Sequence, residues 1–448
     1  MKVLVVGSGG REHAICYAFS RSPRLTKLYC ANGNAGIASV AECVAIRPDD
    51  IQALADFASA NAVNLTFVGG ETSLALGIVD EFTARGLRVI GPTQAAAQLE
   101  SSKAFAKDFM ARHEIPTAKY AVAHSVDRAK LMLEGGDFGS ESTPVVVKAD
   151  GLAAGKGVVV AQNRSEAVAA CDEMGSLVGK TSAEKIVLEE CLVGGEVSLL
   201  AFVDGENFAL MPPVRDHKRI GDGDTGPNTG GMGTITDGSL LSPQQTDEIV
   251  RTIIRPTLRG CVRDNIPFRG ILFLGLMMTG DGPKVLEYNV RFGDPETQAI
   301  IVRLNTDLID ICEAMLSAKL NELNIDWQPG ASACVVLASE GYPAKPRTGD
   351  KIIGLDKASS REKVVVFHAG TSLLSEPGTV ATGVDNDASF QGTIATASGS
   401  GTGYATAGGR VLGVTSVGAD LQTALNSAYA AVSDISWPGM QYRRDIGR

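Results

Sequence analysis

The chain has 448 residues, of which 44% are hydrophobic, 5% aromatic and 21% charged. That composition suits a folded protein of about three domains, and it excludes global disorder and collagen-like repetition. With 51 Asp and Glu against 41 Lys and Arg the net charge is −10, which excludes non-specific nucleic-acid binding as the main task, because a phosphate backbone calls for a basic surface.

Met1–Gly7 is too short for the apolar core of a signal peptide, and Val3–Val6 reads instead as a buried first strand. Short β-branched runs follow at Leu25–Cys30, Leu65–Val68 and Leu87–Ile90. Between them lie helical patterns, one with Ile51, Leu54, Ala55 and Ala58 at i, i+3, i+4 and i+7 behind Asp49 or Asp50 as cap. This alternation predicts a doubly wound parallel sheet. Gln94–His113 reads as one connecting helix with Leu99, Phe105 and Phe109 on its apolar side. Beyond Pro116 the pattern becomes α+β. Strands are predicted at Val145–Lys148, Val158–Ala161, Ile186–Glu190 and Val197–Val203, with Val203–Glu206 as a hairpin tip. A loop, Gly221–Gly233, precedes a helix opened by the capping box Ser242-Pro243-Gln244-Gln245. Strands Gly270–Thr279 and Lys284–Val290 flank the turn Gly280-Asp281-Gly282. From about Asp326 a third region holds strands at Ala333–Ala338, Val364–His368 and Arg410–Val417, then a helix at Leu421–Val432. Inside it Gly378–Gly409, rich in Gly, Thr, Ser and Ala, reads as a long surface excursion peripheral to the chemistry. No apolar run reaches the length of a membrane-spanning helix. The eight scattered cysteines lack a Cys-x-x-Cys pair, as expected of reduced thiols in a cytoplasmic protein.

Three stretches carry candidate chemistry. Val3–Val6 runs into Gly7-Ser8-Gly9-Gly10-Arg11-Glu12-His13, a strand, turn and helix that aim backbone N–H groups at an anion. The dinucleotide fingerprint needs Gly or Ala where Glu12 stands, and Ala31-Asn32-Gly33-Asn34 lacks the acidic ribose partner, which disfavours a nicotinamide site. A tight structural turn and a site for a substrate phosphate both stay open, with Arg11 and His13 supporting rather than reacting.

Lys148-Ala149-Asp150-Gly151-Leu152-Ala153-Ala154-Gly155-Lys156-Gly157 looks like a Walker loop but fails on inspection. Only three residues separate Gly151 from Gly155, Gly157 replaces Ser or Thr, and a strand, Val158–Val160, follows instead of a helix. It is either an ordinary Gly-rich hairpin or a flexible tip that closes over phosphates, mobile until they bind, with Lys148 reaching them from the strand. In Lys284–Arg291 the period of two puts Leu286, Tyr288 and Val290 on one face and Glu287, Asn289 and Arg291 on the other. A carboxylate and an amide oxygen side by side suit Mg2+, which favours oxygen ligands. A solvated strand face is the plain alternative, and the Arg291–Thr297 stretch directly after it, RFGDPET, weighs against that.

The order of these motifs resembles the ATP-grasp superfamily, and within it the phosphoribosylamine–glycine ligase family. The matching segments are GSGGREH (7–13), NGNAG (32–36), SKAFA (102–106), KADGLAAGKG (148–157), DHKR (216–219), DTGPNTGGMG (224–233), EYNVRFGDPET (287–297), Gly408–Leu412 and YRRDIG (442–447). The resemblance implies an ATP-grasp fold with an N-terminal doubly wound domain (1–102), an ATP-grasp domain (103–325) with a mobile ATP-covering part at about 118–192, and a smaller C-terminal α+β domain (326–448). It implies ATP-dependent ligation of glycine to 5-phosphoribosylamine, through glycyl phosphate, giving glycinamide ribonucleotide, ADP and phosphate in de novo purine biosynthesis. Mg2+, or Mn2+, is the implied cofactor. The implied partners are small molecules, with neither nucleic acid nor membrane, and a monomer is the simplest assembly.

Carried over residue by residue, the resemblance makes Arg291, Lys148 and Asp294 catalytic, and Glu287 and Asn289 metal ligands. Lys103 and Lys148 would contact ATP phosphates, with Gly151, Gly155, Lys156 and Gly157 in the covering loop. Glu189, Glu190, Cys191 and Leu192 would run past the adenine, and Glu196 would hold the ribose. Asp216, Lys218, Asn228, Thr229 and Asp294 would serve the amino acid and amine, and Gly9, Gly10, Glu71 and Arg444 the phosphoribosylamine. Two departures fall on the substrate side: Gly70 where the family has Pro, which loosens that loop, and Arg215 where it has Gln. Other readings are a different ATP-grasp ligase or a transformylase, a nucleotide-binding regulator with a dead site, and an oxidoreductase. DTGPNTGGMG argues against the first pair, intact Lys148, Glu287, Asn289 and Arg291 against the regulator, and Glu12 against the oxidoreductase. Phosphoryl transfer needs positioning and charge neutralisation more than a protein nucleophile, and no Ser–His–Asp or Cys–His set is expected.

Overall fold

The computed structural model describes residues 1–152, 157–178 (backbone alone for 175–178), 185–374 and 403–448. Gly155 and Lys156 of the expected covering loop, and 378–402 of the expected surface excursion, lie outside the described residues.

Val3–Val6 is wholly buried because its strand, Lys2–Gly7, lies in the middle of a five-stranded parallel sheet. The order is Glu42–Val44, Lys27–Asn32, Lys2–Gly7, Leu65–Val68, Val89–Ile90, as a doubly wound sheet requires. Helix Ile51–Ala60 is capped by Asp50, whose carboxylate accepts from the Ala53 N–H at 3.1 Å, and it buries Leu54, Ala55 and Ala58. The strand order reverses between Lys2–Gly7 and Leu65–Val68. At such a switch point the carboxyl ends of the strands open a crevice, here edged by Gly7–Gly10 and Gly69–Glu71.

The single helix expected over Gln94–His113 is two, Gln94–Ser101 and Lys103–Arg112. Ser102 adopts an extended backbone, and its hydroxyl accepts from the Phe105 N–H at 3.1 Å, a cap that stops one helix and starts the next. A four-stranded antiparallel sheet follows, ordered Tyr120–Ala123, Ile186–Glu190, Val145–Ala149, Val158–Ala161, with helices Val126–Glu134 and Arg164–Val178 against it.

The largest element is a nine-stranded sheet. Its path runs Gly282–Asn289, Arg269–Thr279, Gly195–Asp204, Val214–Asp216, Gly233–Thr236, Ala331–Ala338, Arg410–Gly418, Val364–His368, with Phe208–Leu210 paired beside Gly195–Asp204. The third region of the sequence thus continues the sheet of the second, strand Ala331–Ala338 pairing with Gly233–Thr236. Two sequence expectations are corrected here. Gly221–Gly233 is not all loop: Arg219–Gly221 and Thr225–Asn228 pair as a small hairpin. Leu286 does not share a face with Tyr288 and Val290, because the register slips from Gly275↔Glu287 to Leu276↔Val285 and leaves Leu286 as an unpaired bulge. The slip buries Val285 together with Tyr288.

Candidate active site

The N-terminal turn is shaped by the residue that breaks the dinucleotide pattern. Glu12 lies back across the ends of two strands. Its carboxylate accepts from the Gly9 N–H and from Arg11 Nε, each at 2.6 Å. A Cβ on Gly7 would stand 2.5 Å from the Glu12 side chain, and one on Gly69 would stand 2.2 Å from it, so both positions need glycine. The Gly9 donor that a pyrophosphate would use is therefore taken, and the oxidoreductase reading loses its site. His13, as expected, supports structure: its Nδ1 accepts from the His368 N–H at 2.8 Å.

A second centre gathers lysines around two carboxylates. Lys148, on strand Val145–Ala149, pairs with Glu189 on the neighbouring strand at 2.8 Å. Its Nζ also donates to the carbonyl of Leu286 at 3.2 Å, the residue that the bulge pushes out of the ladder. Glu189 is buried and holds Lys107 at 2.8 Å as well, and Lys107 donates onward to Thr117. Burial, partly offset by Glu189, lowers the Lys107 ammonium to about 8. The Glu189 side chain is thus spent on two lysines, and only its backbone is free to face a nucleotide base. The Glu190 carboxylate likewise accepts from the Lys119 N–H at 2.9 Å. Lys103 donates to the carbonyl of Gly151 at 2.8 Å, while Asp150 accepts from the Ser102 hydroxyl and the Ala104 N–H at 3.1 Å. These bonds stitch the start of helix Lys103–Arg112 to the turn after strand Val145–Ala149.

Glu287 stands in this cleft. Solvent reaches its carboxylate, yet protein surrounds it, and among the described residues it makes no hydrogen bond or ion pair. Burial pushes its pKa up, but Lys218, Lys148, Lys103 and Arg291 outweigh that and hold it below the ordinary value. Lys218 reaches Glu196 at 3.2 Å. The Asn289 amide oxygen accepts from Arg291 Nη2 at 3.2 Å. An ionised carboxylate without a partner, beside an amide oxygen that keeps a free lone pair, is a donor set that fits a hard divalent cation.

Arg291, Phe292, Gly293 and Asp294 follow that strand. Phe292 is fully buried and stacks on Phe67 with ring centroids 5.9 Å apart, which anchors the segment on the N-terminal sheet. Arg291 then points at two carboxylates, Glu100 at 2.7 Å and Glu71 at 3.2 Å. Glu71 also meets Arg11 at 3.6 Å. Burial would raise the Glu71 pKa, but Arg291 and Arg11 bring it down to about 2. Gly70 leaves the space that Arg11 occupies, its Nη2 3.2 Å from where a Cβ would stand. Asp294 turns to the N-terminal side, accepting from the Arg11 N–H at 3.5 Å over the Gly9–Gly10 turn. Burial works against its charge, and Arg410 and Arg11 hold its pKa below the ordinary value.

Asp216 lies close to Glu296. Burial first, then Glu296, pushes the Asp216 pKa well up, and among the described residues the buried Asp216 Oδ1 has no hydrogen-bond partner. Thr229 serves its own loop: its hydroxyl donates to the Lys218 carbonyl at 2.8 Å and accepts from the Gly231 N–H at 3.0 Å. Asn228 lies exposed in the Thr225–Asn228 strand. Arg444 is not drawn in. It is exposed, lies over the Tyr442 ring, and among the described residues no hydrogen bond or ion pair ties it to Gly9, Gly10 or Glu71. Its neighbour Arg443 is buried and holds Asp224 and Asp445.

Sequence reasoning missed Lys107, Glu100, Glu296 and Arg410. The last two stand inside matched motifs, where position alone could have raised them. Lys107 and Glu100 sit on ordinary helical patterns, and only their distant partners mark them. All eight cysteines are free thiols. No helix among the described residues is long and apolar enough to cross a membrane.

Family models cover most of the chain. They are described as the N domain, ATP-grasp (A) domain and C domain of phosphoribosylglycinamide synthetase, and match residues 1–100, 101–297 and 332–448. A phosphoribosylamine–glycine ligase of Xanthomonas axonopodis pv. citri (strain 306) is 46% identical over 452 aligned positions, covering 100% of this chain and 97% of that protein. One from Brucella melitensis biotype 1 is 44% identical, with the same coverage of 100% and 97%. The crystal structure of a phosphoribosylamine–glycine ligase from Thermotoga maritima superposes with a TM-score of 0.78 at 32% identity, covering 100% of both chains. A biotin carboxylase domain of Hydrogenobacter thermophilus 2-oxoglutarate carboxylase shares the fold at a TM-score of 0.71 and 14% identity, covering 98% of this chain and 91% of that one.

Proposed function

Because the chain belongs to the phosphoribosylglycinamide synthetase family, we propose that it is an ATP-dependent carbon–nitrogen ligase. It joins glycine to 5-phosphoribosylamine, giving glycinamide ribonucleotide, ADP and phosphate in de novo purine biosynthesis. The observation that carries this reading is the placing of two chemistries on one strand and turn. The unpartnered Glu287 faces Lys103, Lys148 and Lys218, and seven residues on Asp294 faces the Gly9–Gly10 turn.

In this reading a glycine carboxylate oxygen attacks the γ-phosphorus while the bond to the ADP oxygen breaks. The phosphoribosylamine nitrogen then attacks the acyl carbon, loses a proton and expels phosphate. Lys103 and Lys148 bind the ATP phosphates, and Arg291 steadies the transferred group. Glu287 and Asn289 would hold Mg2+, with Mn2+ as a substitute of like oxygen preference, and the cation would offset phosphate charge. Gly151, Gly155, Lys156 and Gly157 would act on the ATP phosphates as the covering loop. The backbone of Glu189, Glu190, Cys191 and Leu192 lines the adenine, and Glu196 holds the ribose. Asp216, Lys218, Asn228, Thr229 and Asp294 serve glycine and the amine, and Gly9, Gly10 and Glu71 the phosphoribosylamine. We assign these tasks to three units, 1–102, 103–325 and 326–448. We take a monomer as the assembly.

Phosphate release from ATP tests the reading. Full release should require glycine and phosphoribosylamine together. Equal release with either omitted would overturn it.

A further inference from the structure

The motif Gly408–Leu412 has so far no task. Its strand, Arg410–Gly418, pairs with Ala331–Ala338 until the register slips: Leu337 faces Leu412, and Ala338 faces Arg410, leaving Val411 as the extra residue. A bulge re-aims the side chain beside it. Arg410 is aimed out of the C-terminal part of the sheet at the acceptor side of the cleft. Its Nη1 donates to the carbonyl of Asp294 at 2.7 Å and also to the carbonyl of Gly230, and its Nη2 lies 3.6 Å from the Asp294 carboxylate.

The other polar group of Gly230 is held from the same quarter, its N–H donating to the Tyr342 hydroxyl at 3.0 Å. The two glycines before Arg410 make this possible. The Tyr342 ring lies on Gly409, where a Cβ would stand 2.4 Å from its Cδ2, and Gly370 packs against Gly408, where a Cβ would stand 3.1 Å from the Gly370 Cα. Gly230 lies in the loop joining Thr225–Asn228 to Gly233–Thr236, the segment of Asn228 and Thr229.

We propose that Arg410 and Tyr342 form a clamp that positions the acceptor side of the site, fixing Asp294 and the Gly230 loop for glycine and the amine. Both are positioning residues, and the inference rests on the acceptor-site assignment of Asp294 above. The contacts of the clamp fall on Asp294 and on Gly230, and neither Arg410 nor Tyr342 bonds to Lys103 or Lys148, so it governs the amino acid and amine rather than ATP.

The test is steady-state kinetics of Tyr342→Phe, Arg410→Lys, Arg410→Ala and Asp294→Asn, varying each substrate in turn, with thermal melts. Tyr342→Phe keeps the ring on Gly409 and deletes one hydrogen bond. It should raise the KM of glycine or of the amine about 2- to 10-fold, with the KM of ATP and the melting temperature unchanged. Arg410→Lys should retain more acceptor-side kcat/KM than Arg410→Ala, since an ammonium keeps one carbonyl but loses the fork. Unchanged acceptor parameters in both Tyr342→Phe and Arg410→Lys, or an equal rise in the KM of ATP, would overturn the clamp. If that happens while Asp294→Asn impairs glycine or amine use, the clamp alone fails. If Asp294→Asn is also silent, the acceptor-site assignment fails with it.

Discussion

Glu287 and Glu189 show how environment divides tasks between two carboxylates that share Lys148 as a neighbour. Glu189 is buried and pairs with Lys107 and Lys148, each at 2.8 Å, so it sets their positions. Among the described residues Glu287 has no such partner, which leaves it available to a cation. Glu287→Gln, nearly isosteric, should lower turnover by about 10²–10³, by analogy with lost electrostatic donors, and leave the melting temperature in place. Near wild-type turnover at low magnesium would return this strand to a plain solvated face. Glu189→Gln should do the opposite first. Removing one partner from a buried ion pair costs about 3–5 kcal/mol, and urea unfolding should record the loss before any assay does. A variant as stable as the parent would show that Glu189 does not carry the two lysines. At this scale the sequence marked Lys148 as a candidate through a short motif, and Glu287 and Asn289 through a period of two. Lys107 was not legible, because its partner lies 82 residues away.

Elements were legible where their signals are local. Helix Pro243–Ile249 begins at its predicted box, the Ser242 N–H donating to Gln245 at 2.9 Å and the Gln245 N–H to Ser242 at 3.2 Å. Strand Val364–His368 and helix Leu421–Val432 also fall where the pattern puts them. The bulges at Leu286 and Val411 were not legible, because a bulge is a mismatch with a partner strand. The break at Ser102 was hidden for a similar reason: Asp150, which accepts from the Ser102 hydroxyl at 3.1 Å, comes from the turn after strand Val145–Ala149, 48 residues on. Ser102→Ala deletes the cap and this bond together. It should cost about 1–2 kcal/mol and weaken ATP use, since Lys103 starts the helix that Ser102 caps. Unaltered urea unfolding would contradict that account of the break.

Across the whole molecule the first and third regions of the chain meet. Helix Gly10–Ser20 packs on strand Val364–His368, where His13 and Phe367 rings lie 5.6 Å apart. Burial holds both imidazoles neutral, lowering His13 from 6.5 to about 3 and His368 from 6.5 to about 4. The unfolded chain then binds more protons than the folded one below pH 6.5, so stability is complete above 6.5 and falls as the pH drops toward 4. The slope should approach about 1.4 kcal/mol per pH unit per histidine, read as unfolding free energy between pH 7 and 5. His13→Asn keeps an acceptor for the His368 N–H and should flatten that slope; a parent-like slope would remove His13 from the account. The continuity of the large sheet from the second region into the third was the least legible feature, since strand pairing between Gly233–Thr236 and Ala331–Ala338 spans the expected boundary.

The central claim is that one cleft activates the glycine carboxylate by phosphorylation and hands the acyl group to an amine. Glycine carrying heavy oxygen in both carboxylate positions tests it directly, by mass analysis of the phosphate released in a complete reaction. Passage through glycyl phosphate breaks the carbon–oxygen bond on the carboxylate side, so each phosphate should carry one heavy oxygen and the amide product should keep the other. Phosphate without label, released in step with product, would contradict the account.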